Sequence, residues 1–448
     1  MSTAPSAYVA LPSAASITTS CRQRGRRAAK TGRAPGTVHR LALAAVWLTI
    51  ALSGIVFSEP APVDALTMGL IVLLPVIGLV RTSPVLVLYL SAWLIVAAGG
   101  YMASAVAPEM QTSVIFTTVS LYLSLASVVF AGFVARRPGP HTTLILNAWT
   151  WAGMIAAAAA IIGYFSLLPG AFELFTKYGR ASGTFKDPNV LGAFLVAPVL
   201  YMLHLVVSRP LHRAVIPLAA AGVMVLAVLL SFSRGAWANL ALGVLIYGYL
   251  AFVTAPGSGQ RARVFLLGSA GVAMLAGLVV IAAQFDAVAD LLSQRATLEQ
   301  SYDSGPDGRF AGQAKALDLI AETPQGIGAL TFSSKYHREE VHNVYLSILL
   351  NAGWLGGGAY WLIVAVTAGS GLRHVLRSGE TRPLFLVIYA AFLATACEGV
   401  IIDSDHWRHF YLLAGMVWGL MTAPDIWVAS APMVRGRRSP GIRTRLPA

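Results

Sequence analysis

Charged residues are scarce in this chain. Asp, Glu, Lys and Arg make up 11% of its 448 residues, whereas 56% of the residues are hydrophobic and the mean hydropathy is +0.69. Soluble globular domains carry about 25% charged residues. The shortage therefore excludes an ordinary soluble domain and predicts a protein that crosses a membrane several times.

Cysteine and acidic residues are also few. Cys21 lies in a basic N-terminal stretch and Cys397 in a hydrophobic segment, so no disulfide framework is predicted. Asp and Glu number 19 against 32 Lys and Arg, which gives a net charge of +13. The basic residues are spread over short connections and both ends of the chain, and no single patch could follow a phosphate backbone. Nucleic acid is therefore excluded as a partner.

Long apolar runs recur along the chain, and about 20 apolar residues are enough to cross a hydrocarbon core about 30 Å thick. The sequence predicts an all-α polytopic membrane domain over residues 41–428 with about twelve spans. The first run is interpreted as a retained span, because a long tail precedes it and many spans follow. The predicted spans are Leu41–Phe57, Ala65–Val80, Pro84–Val106, Val114–Val134, Thr143–Leu168, Val190–Val207, Ala214–Phe232, Gly235–Val253, Val264–Phe285, Asn343–Ala368, Leu384–Ile402 and Phe410–Val428.

The distribution of Lys and Arg predicts the orientation of these spans. Basic residues fall in alternate connections, and cytoplasmic connections of membrane proteins carry such an excess. Both termini are therefore expected in the cytoplasm, as basic tails over residues 1–40, which is expected to be disordered, and 429–448. The opposite, outer side then receives Arg180, Lys186, Arg234, Arg309 and His342.

The outer interval 286–342 is too long for a simple connection and should contain structure of its own. Apolar residues recur there with helical spacing, at Phe310, Ala314, Leu317 and Ala321, with polar residues between them. This pattern predicts an amphipathic helix on the membrane surface that ends before Pro324 and carries Arg309 in its first turn.

His342 stands next to Asn343 where the chain enters an apolar helix. An imidazole group has an ordinary pKa near 6.5, which suits it to take a proton from a hydroxyl group at neutral pH. His342 is therefore a candidate general base. The alternative is a polar residue that precedes the helix and is hydrogen-bonded to the loop.

Three arginines on the outer side are candidate ligands of a diphosphate: Arg180, Arg234 and Arg309. Guanidinium groups bind phosphate oxygens through two parallel hydrogen bonds and remain charged. The alternative is that they pair with nearby acids or extend toward lipid headgroups.

The loop Gly179–Asn189, which contains Lys186, has the flexible backbone and the donors of an anion-binding loop that opens a helix. Its alternative interpretation is an external turn. Asp403-Ser404-Asp405-His406, in the last outer connection, is a weak pattern for a divalent metal, and no metal is predicted.

Four motifs now occur in a recognisable order: GTFKDPNVLG at Gly183–Gly192, SRGAW at Ser233–Trp237, GR at Gly308–Arg309 with PQGIG at Pro324–Gly328, and HNVYL at His342–Leu346 with Gly353. In this order and topology the chain resembles the O-antigen ligase family of bacterial envelope glycan transferases. That family also contains O-antigen polymerases and protein O-oligosaccharyltransferases. The likeness covers residues 41–428.

The resemblance implies a GT-C-like membrane fold in the bacterial inner membrane. It also implies a metal- and cofactor-independent, inverting transfer of a glycan from an undecaprenyl-diphosphate carrier to an acceptor hydroxyl on the periplasmic face. His342 and Arg309 match the family's essential histidine and arginine, and the aligned motifs point to Arg180 and Arg234 as ligands of the donor diphosphate. Lys186 is a further candidate ligand of the diphosphate, and Asn189 and Asn343 are candidate supporting residues.

Several activities share this donor. A ligase transfers the glycan to a glycolipid, a polymerase to a polysaccharide and a protein glycosyltransferase to a protein hydroxyl. The motifs do not distinguish among these three acceptors. A polysaccharide transporter or flippase is a further alternative, because the spans are many and both ends face inward. Transporters, however, place charged sites near the middle of the membrane, whereas the candidate residues here cluster at one side.

Overall fold

Helices dominate the structure, because backbone polar groups inside a bilayer must be satisfied within the chain. The computed structural model describes residues 36–282, 284, 305 and 308–423. The first ten helices are α1 (Thr37–Leu52), α2 (Pro62–Val76), α3 (Pro84–Ser104), α4 (Met110–Arg136), α5 (Pro138–Tyr164), the short α6 (Ala171–Phe175), α7 (Pro188–Ser208), α8 (Leu211–Leu230), α9 (Arg234–Val253) and α10 (Ser258–Ala282). They are followed by α11 (Arg309–Glu322), α12 (Val344–Val375), α13 (Arg382–Glu398) and α14 (Arg408–Thr422).

Each of the twelve predicted apolar runs corresponds to a helix in the same order, and the described residues add two further α-helices, α6 and α11. Among the described residues, seven helices are long and apolar enough to cross a membrane: α3, α4, α5, α7, α8, α9 and α12. Helices α1 and α2 are apolar but shorter. The chain is therefore a multi-pass membrane protein, and the count of twelve spans stays a prediction. Most of the predicted tails 1–40 and 429–448, and most of the first part of the interval 286–342, lie outside the described residues.

Connections that the sequence assigns to the same side contact one another. On the side predicted to be cytoplasmic, the Arg263 guanidinium donates a hydrogen bond to the Val206 carbonyl (2.9 Å), and Arg382 donates to Thr254 (3.0 Å). On the other side, the Val344 N–H donates to the Gly399 carbonyl at 2.8 Å. These contacts are compatible with the predicted alternation, and the assignment of one side to the cytoplasm stays a prediction.

A β-hairpin between α6 and α7 positions Arg180. Its strands, β1 (Thr176–Lys177) and β2 (Arg180–Ala181), pair in antiparallel register. The two turn residues, Tyr178 and Gly179, both have positive φ (55° and 68°), as a tight two-residue hairpin turn requires. The chain then runs beside residue 56, where the Val56 N–H donates to the Thr184 carbonyl at 2.8 Å. Asp187 ends this loop and caps α7 by accepting the Asn189 N–H at 2.7 Å.

The PQGIG loop docks into a break in α12. Gly353 has non-helical backbone angles (φ 63°, ψ −175°) inside this helix, which frees backbone groups on either side. The Ile327 N–H donates to the Leu350 carbonyl, and the Trp354 N–H donates to the Pro324 carbonyl, both at 2.8 Å. A Cβ at Gly353 would lie 2.6 Å from the Gln325 carbonyl carbon. The loop and the break therefore require each other.

Helix α11 packs on the protein through a face different from the predicted apolar stripe. Its buried residues are Gly312, Ala316 and Ile320, and the last two join a core cluster with Phe332 and Leu350. The predicted stripe of Phe310, Ala314, Leu317 and Ala321 is exposed. The predicted helix and its end before Pro324 are confirmed, and contact of its exposed stripe with the membrane surface stays a prediction.

Candidate active site

A cavity of about 460 Å³ lies where several connections predicted to be on the outer side meet. Its polar lining includes Glu59, Lys186, Asp187, Asn189, Arg309, His342, Asp403, Asp405, His406 and Arg408. The wall formed by α4 is largely apolar and includes Phe116, Leu123 and Phe130. At 1.5 Å of rise per helical residue, these three positions extend over about 20 Å. The cavity therefore combines a charged region with a long apolar wall.

His342 lines this cavity in an unusual backbone conformation. Its φ is +53°, a region that residues other than glycine seldom adopt. The Asp403 carboxylate accepts the backbone N–H groups of His342 (2.9 Å) and Asn343 (3.2 Å) and so holds this turn in place. The imidazole lies between two acids, with Nδ1 3.6 Å from Asp403 Oδ2 and Nε2 3.5 Å from Glu339 Oε2. Its side chain is 31% exposed, which leaves it accessible from the cavity.

Asn343 has a structural role beside the cavity. Its side-chain oxygen accepts the backbone N–H groups of Tyr345 (3.1 Å) and Leu346 (3.4 Å). Asn343 is thus the N-cap of α12. It supports His342 by fixing the start of the helix and is not among the described residues that line the cavity.

Arg309 reaches the same cavity from α11. It is the first residue of that helix, and Gly308 occupies the N-cap position. The packing of α11 on α12 and the docked PQGIG loop connect the helix that carries Arg309 to the helix that follows His342. The structure therefore brings together the two residues predicted to be catalytic.

The predicted diphosphate ligands are divided between the cavity and the layer behind it. Lys186 and Asn189 line the cavity, whereas Arg180 and Arg234 are not among its described lining residues. Arg180 Nη2 donates to Asn189 Oδ1 at 2.8 Å, and its Nε donates to the Ser231 carbonyl at 2.7 Å. Arg180 thus links the start of α7 to the connection between α8 and α9.

Arg234 is the first residue of α9, next to this linked connection. Ser233 caps the helix by accepting the Ala236 N–H at 3.2 Å. Phe232, directly before the SRGAW motif, has positive φ (45°), so the chain makes a tight break between α8 and α9. The motif fixes where α9 begins.

Sequence reasoning missed a third cation in the cavity, Arg408. Its Nε and Nη2 each lie 2.7 Å from one oxygen of Asp64, and its Nη1 lies 3.5 Å from Glu59 Oε1. Glu59 also forms an ion pair with Lys186. Arg408 directly precedes the predicted last span, and its two acidic partners are more than 300 positions away, so no local motif pointed to it.

Burial shifts the pKa values of the acids near His342. Burial, reinforced by Asp403 and Glu340, raises the pKa of Asp405 to about 7. Burial also raises the pKa of Glu340 above its ordinary value, although a hydrogen bond from Ser333 opposes the shift. The surroundings of His342 are therefore less negative near neutral pH than the number of acids suggests.

The pKa values of two further cavity residues are both lowered, for different reasons. Burial lowers the pKa of His406 to about 4, so this ring is neutral at pH 7. It stacks on Phe116 and lies 2.9 Å from Ser120 Oγ. Burial alone would raise the pKa of Glu59, but the hydrogen bond from Lys186 and the charges of Lys186 and Arg408 outweigh it and hold the pKa below its ordinary value.

The acidic pattern at Asp403–His406 does not converge on one point. Asp403 faces His342, whereas His406 faces Ser120 and Phe116. Among the described residues, no group of three or more His, Cys, Asp and Glu side chains has a metal-binding arrangement.

Residues 218–361 match the family model described as O-antigen ligase. Over this segment the chain is similar to the O-antigen ligase family. The matched segment runs from α8 into α12 and contains Arg234, Arg309, His342 and the PQGIG loop. The match supports the resemblance found in the sequence over this segment, and with it a membrane glycan transfer of the ligase or polymerase type. No curated protein matches the chain. Glu59, Lys186, Asp403 and Arg408 lie outside the matched segment.

Proposed function

We propose that this protein transfers a glycan from an undecaprenyl-diphosphate carrier to an acceptor hydroxyl at the periplasmic face of the bacterial inner membrane, with both termini in the cytoplasm. The observation that carries the proposal is the shared cavity, which His342 and Arg309 line together with Lys186 and Arg408. A base, several cations and an apolar wall are what an anionic lipid donor and an alcohol acceptor require in one place.

The donor enters with its diphosphate among the cations and its lipid chain along the apolar wall of α4. As the anomeric C–O bond breaks, negative charge builds on the departing diphosphate. Fixed cations in a poorly hydrated cavity favour that charge more than they favour the intact donor. Arg309 and Lys186 contact the phosphates directly, and Arg180 acts through Asn189. Arg234 is the proposed ligand at the adjoining start of α9.

The acceptor enters beside His342. The imidazole takes the proton of the acceptor hydroxyl while the hydroxyl oxygen attacks the anomeric carbon from the face opposite the diphosphate. One C–O bond forms, one breaks, and the anomeric configuration inverts. Asp403, the less exposed of the two acids beside the ring, stabilises the imidazolium that results, as a carboxylate does in a catalytic triad. His342 later releases the proton to water. The donor is already activated by its diphosphate, so the reaction uses no nucleotide and no further cofactor.

A polymerase would use the same donor and the same cavity, with a lipid-linked glycan as the acceptor. Product length separates the two activities: a deletion strain of a ligase keeps long lipid-linked chains that are not attached to acceptor, whereas a deletion strain of a polymerase makes single repeats. A flippase is less compatible with the site, because the charged residues gather at one end of the helices and not at mid-membrane.

The test is transfer by purified protein in nanodiscs that contain a lipid-linked glycan and an acceptor. H342A is expected to lower turnover by about 10²–10⁴, the usual contribution of a general base. R309A is expected to lower turnover by about 10²–10³, by analogy with the loss of an oxyanion donor. H212A and R213A, which change exposed residues at the start of α8 on the opposite side, are the matched controls. Wild-type turnover by H342A would contradict the proposal.

A further inference from the structure

Arg408 is held rigidly on one side. Its Nε donates a hydrogen bond to Asp64 Oδ1 and its Nη2 donates one to Asp64 Oδ2, each at 2.7 Å. The Asp64 carboxylate is itself fixed, because Oδ2 accepts the Ala61 N–H at 2.8 Å and Oδ1 lies 3.3 Å from the Tyr122 hydroxyl. Such paired, charge-assisted contacts orient a guanidinium group firmly. Asp64 therefore aims the other edge of Arg408, which carries Nη1.

Glu59 meets this other edge and is held much more loosely. Its Oε1 lies 3.5 Å from Arg408 Nη1, and its Oε2 pairs with Lys186. The side chain of Glu59 is 41% exposed and that of Lys186 is 46% exposed. Ion pairs with this exposure hold weakly. Glu59 is thus a displaceable partner of the two cations, whereas Asp64 is a fixed one.

The two oxygens of Glu59 each face a different cation at the cavity wall. Each phosphate of a lipid-linked diphosphate presents a similar pair of oxygens, and the whole diphosphate carries two negative charges against one on the carboxylate, so it can replace Glu59 between the same two cations. Together, Lys186, Arg408, Asp64 and Glu59 have no net charge. Moving Glu59 aside leaves one net positive charge, which an entering phosphate can neutralise.

On the basis of the proposed function, we propose that Lys186 and Arg408 form a phosphate subsite for the lipid-linked donor, that Asp64 orients it, and that the Glu59 carboxylate occupies it at rest. The donor phosphate displaces Glu59 when it enters. Glu59 thereby lowers the affinity for weaker anions and makes entry to the subsite depend on a highly charged ligand.

The test is equilibrium binding of a short prenyl diphosphate to the full-length protein in nanodiscs of phosphatidylcholine. E59Q removes the competing charge and keeps the side-chain shape, so it is expected to bind the diphosphate about three- to tenfold more tightly than wild type. K186Q and R408Q are expected to bind it about 10- to 100-fold more weakly. The matched controls are E109Q and K315Q, whose residues lie in outer-side segments but not among the lining residues. Both are expected to bind like wild type.

Because R408Q also removes the partner of Asp64, its folding is checked by thermal unfolding. E59Q leaves the Arg408–Asp64 contact intact and keeps the test decisive if R408Q does not fold. Equal or weaker binding by E59Q would overturn the proposal, as would wild-type binding by a folded R408Q.

A phospholipid headgroup offers the same chemistry, so a second set of nanodiscs contains phosphatidylglycerol. If this lipid abolishes prenyl-diphosphate binding by E59Q, the subsite takes phospholipid and the donor assignment is overturned. The transfer assay separates this inference from the proposed function. If the wild-type protein transfers glycan and the E59Q and R408Q variants have the donor KM of wild type, only the subsite is refuted. Wild-type protein that transfers none refutes the proposed function.

Discussion

Asp403 holds His342 by its backbone and faces its side chain with the same carboxylate oxygen. Oδ2 accepts the His342 N–H at 2.9 Å and lies 3.6 Å from the imidazole Nδ1. The left-handed backbone of His342 would be strained without such a partner. One acid therefore fixes both the position of the proposed base and the charge beside it.

Replacing this acid is expected to affect chemistry more than donor binding. In D403N an amide nitrogen replaces one acceptor oxygen, so either a backbone N–H loses its partner or the imidazole loses its charged neighbour. We expect kcat to fall by up to about 10²–10⁴, the full contribution of a general base, with the donor KM changed less than threefold. Steady-state kinetics with varied donor measure both.

E339Q is the control for this prediction. Glu339 lies at a similar distance from the imidazole, 3.5 Å, but is 52% exposed, so its loss is expected to change kcat by less than about threefold. A D403N protein with the kcat of wild type, or one with raised KM alone, would refute the positioning role of Asp403.

Asp405 is expected to make stability depend on pH. Burial raises its pKa in the folded protein to about 7, against an ordinary value of 3.8. Between these two values the unfolded chain has released this proton while the folded protein retains it. Stability is therefore lost as the pH rises through this window and levels off above about pH 7. The amide side chain in D405N has no such proton to release.

The measurement is the difference in thermal midpoint between D405N and wild type in detergent at pH 5, 6, 7 and 8. The difference is expected to shift in favour of D405N with increasing pH and to become constant near pH 8. A difference that does not change with pH would show that the carboxyl group of Asp405 does not titrate in this range.

Gly353 and Gly358 lie on the same helix and are expected to respond to alanine in opposite ways. At Gly353 a Cβ meets the Gln325 backbone at 2.6 Å, and φ is +63°. The strained backbone alone costs about 1–3 kcal/mol, and the clash adds to it, so G353A should be destabilised by about 3 kcal/mol or fail to fold. At Gly358 nothing lies within 4 Å, so G358A should be stabilised by about 0.5–1 kcal/mol. Thermal unfolding in detergent compares the two, and equal midpoints would contradict the docking of the loop into α12.

Arg180 and Asn189 are expected to act as one unit on the donor. The hydrogen bond of 2.8 Å between them holds the amide of Asn189 at the cavity. A double-mutant cycle with R180A, N189A and the double variant, measured on the donor kcat/KM, should give a coupling energy of about 0.5–3 kcal/mol. The same cycle with R213A and N189A should give none. Additive effects of R180A and N189A would show that Arg180 does not act through Asn189.

Much of the architecture was predictable because its causes are local. Each apolar run became a helix, and α11 ends before Pro324 because proline cannot continue a helix. The alternation of basic residues indicated which connections meet. Each of these signals is contained in a window of about 20 residues, and each predicts a local structure without knowledge of distant contacts.

The polar network was not predictable in the same way. Arg408 pairs with Asp64, a residue 344 positions away, and Asp403 reaches His342 across 61 positions. The sequence around Asp64 and Asp403 contains no local pattern that predicts which residue each acid contacts. Arg180 was assigned to the phosphates by its motif, yet its guanidinium group lies behind Asn189. The sequence thus identified candidate functional residues, whereas the contacts of these residues depend on how the helices assemble.

The break in α12 has a consequence for how the chain can change in length. Backbone hydrogen bonds anchor Pro324 and Ile327 to this helix, while Asp403 anchors the chain again at His342. An extra residue between these two anchors would have to bulge out of a segment that contains the buried Phe332 and Val341, or pull one anchor loose and so move Arg309 relative to the imidazole. Insertions and deletions between Gly328 and His342 should therefore be far more damaging than substitutions at the same positions.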